Sequence, residues 1–218
     1  MIQKILPAAC GWSQSFTDGL DIDLFPQEQD VIAGAVAARQ AEFTTVRACA
    51  REALSALGHA PVPLVPGERG APTWPEGVVG SMTHCTGYRA AAVARTSEVV
   101  ALGIDAEPNA ALPEEVLPHI ALPEDHIALE ALPNSTAVAW DRLLFSAKEA
   151  VYKAWFPLAG RWLDFRDATV TLTPDGTFTA RILVPGPVLL GRPLTGFHGR
   201  WAVGDGLLVT TIAVEVGH

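Results

Sequence analysis

Residues 145–155 read FSAKEAVYKAW, and they carry a polar stripe on an otherwise apolar helical pattern. Glu149 and Lys153 are four residues apart, so on a helix they lie on one face. Arg142 and Ser146 extend that face at spacings of four and three. The pattern therefore predicts a long amphipathic helix whose polar stripe is a candidate for function.

Residues 103–108, GIDAEP, precede this helix by about forty residues and follow an apolar, β-branched run that predicts a strand. If the strand continues, Asp105 and Glu107 point to the same side, because side chains alternate along a strand. Together with Glu149 from the helix, they would offer three oxygen ligands, a set that suits a hard cation such as Mg²⁺. Lys148 and Lys153 would then flank the metal, where a phosphate would lie.

Each feature alone also has an ordinary structural explanation. A carboxylate pair at a strand end is commonly just solvated, and a Glu/Lys pair at this spacing is commonly a surface ion pair of small energy. It is the combination of the two that favours a site.

Composition narrows the function classes. The 218 residues have a net charge of −9 and a pI near 5.0, so the overall field repels nucleic acid and anionic membrane surfaces. No apolar run reaches the ~18 residues that a membrane span needs. Three cysteines without metal-ligand spacing fit a reducing compartment, and we expect a cytoplasmic protein. An anionic ligand must therefore meet a local cluster among the 15 Lys and Arg.

The first half offers such a cluster. A helical pattern from residue 27 to 58 predicts one long helix or two in succession, and it places Arg39, Arg47 and Arg51 within an arc of roughly 120°. This flank is either a ligand surface or a solvated face. Residues 66–72 predict a turn with Arg69 at its tip.

Residues 78–84, VVGSMTH, predict a strand that ends in small and hydroxyl residues, where backbone amides and the Thr83 and His84 side chains could meet a phosphate. An ordinary strand end is the alternative. Ser81 lacks a Gly-x-Ser-x-Gly context, so a nucleophilic role is not favoured. Residues 88–95 and 99–104 predict further strands of an antiparallel meander.

The second half begins with a Pro- and Ala-rich bridge, residues 109–133, in which Pro113 and Pro123 are candidate starts of short helices. Asn134 and Ser135 are candidate N-caps of the long helix, and Pro157 is its expected end. Two hairpin turns are predicted after this helix, at residues 174–176 and 204–206. In the first half of the chain, residues 62–65 predict a short strand.

The element order, a long helix followed by antiparallel strands, thus occurs twice. We predict an α+β fold of two pseudo-symmetric lobes, residues 1–108 and 109–218, each with a long helix packed on a small antiparallel sheet. Asp105, Glu107 and Glu149 would then lie in the cleft between the lobes, which is a usual place for ligands.

The sequence resembles the Sfp-type 4′-phosphopantetheinyl transferases, and within them a PptT-like branch, from about residue 39 to 201. The segments 42–51, 80–89 and 140–158 are similar to motifs of that branch. The two signatures of the family are intact in the residues Gly103, Ile104, Asp105, Glu107, Phe145, Ser146, Lys148, Glu149, Ala150 and Lys153.

The resemblance implies transfer of 4′-phosphopantetheine from coenzyme A (CoA) to a serine of an apo acyl or peptidyl carrier protein, with release of 3′,5′-ADP. It implies Mg²⁺, with Mn²⁺ as a substitute, held by Asp105, Glu107 and Glu149. CoA would bind in the cleft between the lobes. A site completed within one chain favours a monomer.

The resemblance also implies residue roles. Arg47, His84 and Arg39 would contact the 3′-phosphate of CoA, and Ser81, Met82 and Thr83 would line the nucleotide and phosphates. Glu149 would take the serine proton, directly or through a water, Lys153 would stabilise the leaving group, and Lys148 would hold phosphate oxygens. Pro66 stands where relatives carry a lysine, and Arg69 is a candidate substitute.

Two other functions fit the same residues. A Mg²⁺-dependent pyrophosphate-cleaving or nucleotidyl enzyme would also use Asp-x-Glu with Glu and Lys, and its products would differ. A non-catalytic module that binds CoA or a carrier would keep the fold, and we would expect it to have lost a carboxylate or Lys153; neither loss has occurred.

Overall fold

A computed structural model describes residues 1–20, 22–134 and 136–217. Its α-helices are α1 (Pro26–Ile32), α2 (Ala37–Ala56), α3 (Leu117–Ile120), α4 (Pro123–Glu130) and α5 (Trp140–Ala159). Its strands are β1 (Gly11–Ser15), β2 (Val78–Cys85), β3 (Tyr88–Arg95), β4 (Val99–Pro108), β5 (Ala168–Thr173), β6 (Thr177–Ile182), β7 (Val188–Leu189), β8 (Arg192–Pro193), β9 (Gly196–Gly204) and β10 (Leu207–Glu215).

The strands form antiparallel sheets, so the predicted α+β class is confirmed. One sheet has three strands in the order β1-β3-β2, and another has five in the order β4-β10-β9-β6-β5; β7 and β8 form a separate pair. Both hairpins predicted in the second half are present, as β5-β6 and β9-β10.

Helix α2 packs on the three-stranded sheet through small residues. Cys49, Ala50, Ala53 and Leu54 are fully buried against that sheet. The helical region was correctly predicted to extend to Gly58, which has a φ of +85° and so suits the chain reversal after a helix. The structure decides for two helices in succession, α1 and α2.

Helix α5 packs on the five-stranded sheet, with Leu143, Leu144, Ala147 and Trp155 fully buried in that core. The helix does not end at Pro157 as predicted: Pro157 lies inside α5, which continues for two more residues to Ala159. Gly160, with a φ of +60°, ends it.

The N-terminus of α5 is held by hydrogen bonds to residues that are distant in the chain. The Oδ1 atom of Asn109, just after β4, accepts a hydrogen bond from Ala139 N at 2.9 Å, and Asp141 Oδ2 accepts one from Leu112 N at 2.8 Å. Asn134 is therefore not the cap, since the helix begins at Trp140. The other predicted cap, Ser135, lies outside the described residues.

The predicted meander is wrong in the placement of strand β4. Strand β4 does not pair with β3 but joins the five-stranded sheet through β10, so the strand that ends the predicted first lobe belongs to the sheet of the second. The division at residue 108 stays a prediction. Along its other edge, Ser81 Oγ accepts from Ile104 N at 3.1 Å, and Thr83 Oγ1 accepts from Ala106 N at 3.0 Å. Side-chain hydroxyls of β2 thus replace the missing strand partner.

Other local predictions differ in detail. The segment 62–65 is not a strand; Leu64 instead donates its backbone N–H to the buried carboxylate of Glu28. Pro113 begins no helix, whereas Pro123 is the first residue of α4. The described residues include no helix that is both long and apolar enough to cross a membrane.

Gly103 generates a first prediction. A Cβ at Gly103 would overlap the carbonyl oxygen of Ala150 and lie 2.8 Å from the backbone N of Ala154, so α5 can rest on β4 only over a glycine. We expect Gly103→Ala to lower the free energy of unfolding by ~1–3 kcal/mol in urea titrations, as overpacking does. Gly34→Ala, where a Cβ meets nothing within 4 Å, is the matched control. Equal stability of the two variants would contradict the close approach.

The hydroxyl bridges generate a second prediction. Thr83→Val keeps the side-chain shape but leaves the buried N–H of Ala106 without an acceptor, which costs ~1–3 kcal/mol. Thr83→Ser keeps the hydroxyl and should retain most of the stability. Thermal and urea unfolding of the two variants check this, and a Val variant as stable as the Ser variant would show that the bridge contributes nothing.

Candidate active site

The polar stripe of α5 lies along β4 and meets its carboxylates. Gly103, Asp105 and Glu107 alternate onto the face of β4 that α5 covers, as the strand period predicts. Lys153 Nζ donates to Asp105 Oδ1 at 2.7 Å, and Arg142 Nη1 donates to Glu107 Oε2 at 3.0 Å. The sequence therefore correctly placed the acidic pair on one side of a strand that faces this helix.

The third carboxylate reaches the same space. Asp105, Glu107, Glu149 and Lys153 all line one cavity of about 380 Å³. Burial raises the pKa of the Glu149 carboxyl, Lys153 opposes this, and the charges of Asp105 and Glu107 add to the rise. Burial and the charge of Asp105 likewise raise the pKa of Glu107, against the pull of Arg142. The three acids thus repel one another in a partly dehydrated space.

This donor set fits a divalent cation. Asp105 is only 5% exposed, and its buried Oδ2 atom has no hydrogen-bond partner among the described residues, which is costly unless a ligand supplies one. Carboxylate oxygens are the ligands that Mg²⁺ and Mn²⁺ prefer. In the part of the chain that the structure describes, no three acidic, His or Cys side chains are gathered closely enough around one point to hold a metal ion.

A second, larger cavity of about 500 Å³ opens beside the carboxylates, and the two cavities share Met82, His84, Glu149 and Lys153. The structure brings together most of the residues predicted to bind a nucleotide. Those that line the larger cavity are Arg39, Arg47, Arg69, Ser81, Met82, His84 and Lys153.

Arg47 is the buried cation of this cavity. The residue is 8% exposed; its Nε donates to Leu64 O at 3.3 Å, and its guanidinium carbon lies 3.3 Å from the centroid of the Phe43 ring. Burial lowers the pKa of Arg47 to about 10, which leaves it cationic at neutral pH. No carboxylate of the described residues forms an ion pair with it, so its charge is available to an anionic ligand.

Arg39 and His84 lie at the mouth of the cavity, with Arg39 Nη1 3.2 Å from His84 Nε2. Both contact Glu42, a residue that the sequence analysis did not select. Arg51, the third arginine of the basic flank, instead pairs with the buried Glu28. Two arginines of the basic flank of α2, Arg39 and Arg47, therefore line the larger cavity, whereas Arg51 forms an internal ion pair.

Ser81 and Thr83 have structural tasks at the border of the cavities. Both are nearly buried, and their hydroxyl oxygens bind the backbone of β4 as described above. Thr83 Oγ1 also lies 3.3 Å from Asp105 Oδ1, so it lines the carboxylate cavity and not the larger one. The structure supports no nucleophilic role for Ser81.

The structure corrects the predicted role of Lys148 as a phosphate ligand. Its side chain is only 2% exposed, and its ammonium does not face the carboxylates of the site. The ammonium instead lies 2.6 Å from Asp125 Oδ2 and 2.8 Å from each of the carbonyl oxygens of Ile120, Phe165 and Ala168. The reason is geometric: five residues on a helix turn the side chain by roughly 140° away from that of Lys153. Lys148 fixes α4 and β5 to α5 instead of holding a phosphate.

An aromatic contact lies beside the larger cavity, which Arg69 and Tyr152 line. The guanidinium of Arg69 lies 5.4 Å from the centroid of the Trp162 ring, and Trp162 packs on Tyr152 with ring centroids 4.7 Å apart. The Trp162 side chain is 52% exposed, although it packs on this aromatic neighbour. The hydroxyl of Tyr152 is buried without a partner among the described residues.

The sequence analysis did not select two residues that border the site, and it assigned no specific role to a third. Glu42 and Tyr152 gave no signal of their own, because their positions depend on which elements meet. Arg142 did give a signal, since it lies on the polar stripe of α5. It binds Glu107 and also donates to the carbonyl oxygens of Ala110 and Ala111.

Comparison with known protein families decides the relationship. Residues 27–94 match the 4′-phosphopantetheinyl transferase N-terminal domain, and residues 101–201 match the 4′-phosphopantetheinyl transferase superfamily. The chain belongs to this superfamily. It is a Sfp-type, PptT-like 4′-phosphopantetheinyl transferase, and the family resemblance is thereby confirmed.

Several curated members of the superfamily are similar over almost their whole length. The chain is 57% identical to Svp of Streptomyces mobaraensis, over 98% of this chain and 89% of that protein. It is 46% identical to PptT of Mycobacterium tuberculosis, over 98% of each. It is 47% identical to Npt of Nocardia iowensis, over 98% of this chain and 99% of that protein.

The correction at Lys148 generates a third prediction. Lys148→Met should lower the free energy of unfolding by ~3–5 kcal/mol, because it leaves the Asp125 carboxylate buried and unpaired. Lys4→Met, which removes an equal charge from an exposed residue, is the control and should change stability little. Urea unfolding of both transferase variants measures this. A stable Lys148 variant with weakened substrate binding would restore the phosphate role.

Proposed function

We propose that this transferase moves 4′-phosphopantetheine from CoA to a serine of an apo acyl or peptidyl carrier protein, with Mg²⁺ as cofactor. The observation that carries the proposal is the junction of the two cavities at Glu149 and Lys153. One cavity holds unpaired positive charge at Arg47, and the other holds three carboxylates, one with an orphaned oxygen. CoA carries a 3′-phosphate, which would lie near Arg47, and a pyrophosphate, which would lie near the carboxylates.

The larger cavity suits the nucleotide end of CoA. Its volume of about 500 Å³ is in the range of small-ligand pockets. Arg47, Arg39 and His84 would receive the 3′-phosphate, since an arginine without a carboxylate partner is a strong phosphate donor. Met82 and the backbone at Ser81 would line the adenosine, and Arg69 would lie near the pyrophosphate. This local positive charge would offset the repulsion between the anionic CoA and a protein whose net charge is −9.

The carboxylate cavity would hold the metal through Asp105, Glu107 and Glu149. When bound, Mg²⁺ or Mn²⁺ supplies positive charge that neutralises the pyrophosphate. The ion pairs of Asp105 with Lys153 and of Glu107 with Arg142 keep two of these acids oriented before any ligand arrives.

The chain's own groups account for the proton transfers. The raised pKa of Glu149 suits a base that accepts the hydroxyl proton of the carrier serine. The serine oxygen then forms a bond to the pantetheine-side phosphorus, and the bond from that phosphorus to the bridging oxygen of 3′,5′-ADP breaks. Lys153, whose ammonium is partly exposed, would donate to the departing phosphate.

The other candidate functions are less well supported. Membership of the superfamily favours phosphopantetheinyl transfer over nucleotidyl transfer, and the intact carboxylates and Lys153 favour catalysis over binding alone. One chain contributes both cavities, which supports a monomer. The acidic pI argues against nucleic acid or an anionic membrane as a partner, and the three free cysteines fit a cytoplasmic enzyme.

Intact mass spectrometry of an apo carrier domain tests the proposal. Incubation with the transferase, CoA and Mg²⁺ should add one phosphopantetheine to the carrier and release 3′,5′-ADP. EDTA should abolish the gain, and Mn²⁺ should restore it. Release of pyrophosphate or a nucleoside monophosphate would support the nucleotidyl alternative, and CoA binding without turnover on several carriers would support the binding module.

Asp105→Asn tests the carboxylate site with little change of shape. We expect the rate of carrier modification to fall by at least about 100-fold, while the folded state persists. Glu124→Gln, which neutralises an exposed acid on α4, is the control and should keep the wild-type rate. A near-wild-type rate in Asp105→Asn would refute the three-carboxylate site.

A further inference from the structure

Glu42 is the acidic residue at the centre of the phosphate-binding cations. Its Oε1 atom lies 2.9 Å from His84 Nδ1 and 3.6 Å from Arg89 Nη2, and its Oε2 atom accepts a hydrogen bond from Arg39 Nη1. Glu42 and Arg39 lie one turn apart on α2, whereas His84 comes from β2. The carboxylate thus joins a helix and a strand at the mouth of the nucleotide cavity.

These contacts fix the hydrogen bonding of the imidazole. Arg39 can only donate, so at 3.2 Å His84 Nε2 accepts from it. His84 Nδ1 therefore carries the hydrogen and donates to Glu42. Burial lowers the pKa of His84, and the negative charge of Glu42 opposes this. When an anion replaces Arg39 at Nε2, the same carboxylate favours the protonated ring, which can donate from both nitrogens.

Arg39 needs a restraint more than Arg47 does. The side chain of Arg39 is 46% exposed, whereas Arg47 is buried against Phe43 and held by a backbone carbonyl. A long exposed side chain loses rotamer freedom when it binds a ligand, and a partner that orders it beforehand reduces this cost. Glu42 supplies that partner, since it contacts both groups that line the cavity mouth.

We propose that Glu42 is a positioning residue that orients Arg39 and His84 for the 3′-phosphate of CoA. This inference rests on the proposed function, which places the 3′-phosphate at these cations. Glu42 acts through them and not on the ligand itself. The opposite possibility is that Glu42 is a competing anion that occupies the cations, in which case its removal would strengthen phosphate binding.

Isothermal titration calorimetry with two nucleotides that differ only in the 3′-phosphate separates these possibilities. The probes are adenosine 3′,5′-bisphosphate and adenosine 5′-monophosphate. Wild-type protein should prefer the bisphosphate, and Glu42→Gln should reduce that preference by about tenfold, as expected when two side chains lose their ordering. Binding of the monophosphate should stay unchanged.

Two variants serve as controls. Glu52→Gln removes the same charge from the same helix, at a residue that accepts from Ser13, and it should keep the wild-type preference. In an Arg39→Met, His84→Ala background, Glu42→Gln should have no further effect, because the groups it positions are absent. In the carrier assay, Glu42→Gln should raise the KM for CoA and leave kcat unchanged.

The outcomes are distinct. Tighter bisphosphate binding by Glu42→Gln would overturn the positioning role in favour of the competing anion. An equal loss for both nucleotides would show a merely structural role, and an unchanged preference would show none. If wild-type protein bound both nucleotides equally, the assignment of the 3′-phosphate to this cavity would fail first, and the role of Glu42 with it.

Discussion

The structure depends on strand β4. Its backbone hydrogen-bonding groups find partners along both edges, while α5 packs on one face of the strand. One edge pairs with β10, and the other receives the hydroxyl oxygens of Ser81 and Thr83. Gly103 allows the helix backbone to approach. Because buried N–H groups must find acceptors, these bonds fix β2 relative to the larger sheet. The candidate site lies where these elements meet.

This arrangement explains why the acids of the site are clustered and yet tolerated. Asp105 and Glu107 leave β4 on the face that α5 covers, and the helix brings both a third acid and two cations. Lys153 and Arg142 hold the two strand acids by ion pairs, while one buried oxygen of Asp105 has no hydrogen-bond partner within residues 1–20, 22–134 and 136–217. The site is therefore densely charged, and such clusters of interacting titratable groups are typical of functional sites.

Two neighbouring lysines show how far sequence reasoning reaches. Lys148 and Lys153 belong to one motif, and charge alone suggested the same role for both. Helix geometry places them on different flanks of α5, so one ammonium is enclosed with Asp125 and the other faces the cleft. The identity of the enclosing partner could not be predicted, because Asp125 comes from α4 in the bridge region, whose packing has no local signal.

The sequence by itself determined the long helices, the hairpins, the α+β class and the facing of Asp105 and Glu107, because periodicity and turn chemistry are local properties. It also indicated the family, through its resemblance to two signature motifs, and the comparisons confirmed that family. Only the tertiary structure decided that β4 joins the second sheet, that Asn109 closes α5, and that Glu42 meets His84. Each of these depends on contacts between residues distant in the chain, where hydrogen-bond satisfaction and burial select among partners that the local sequence leaves equivalent.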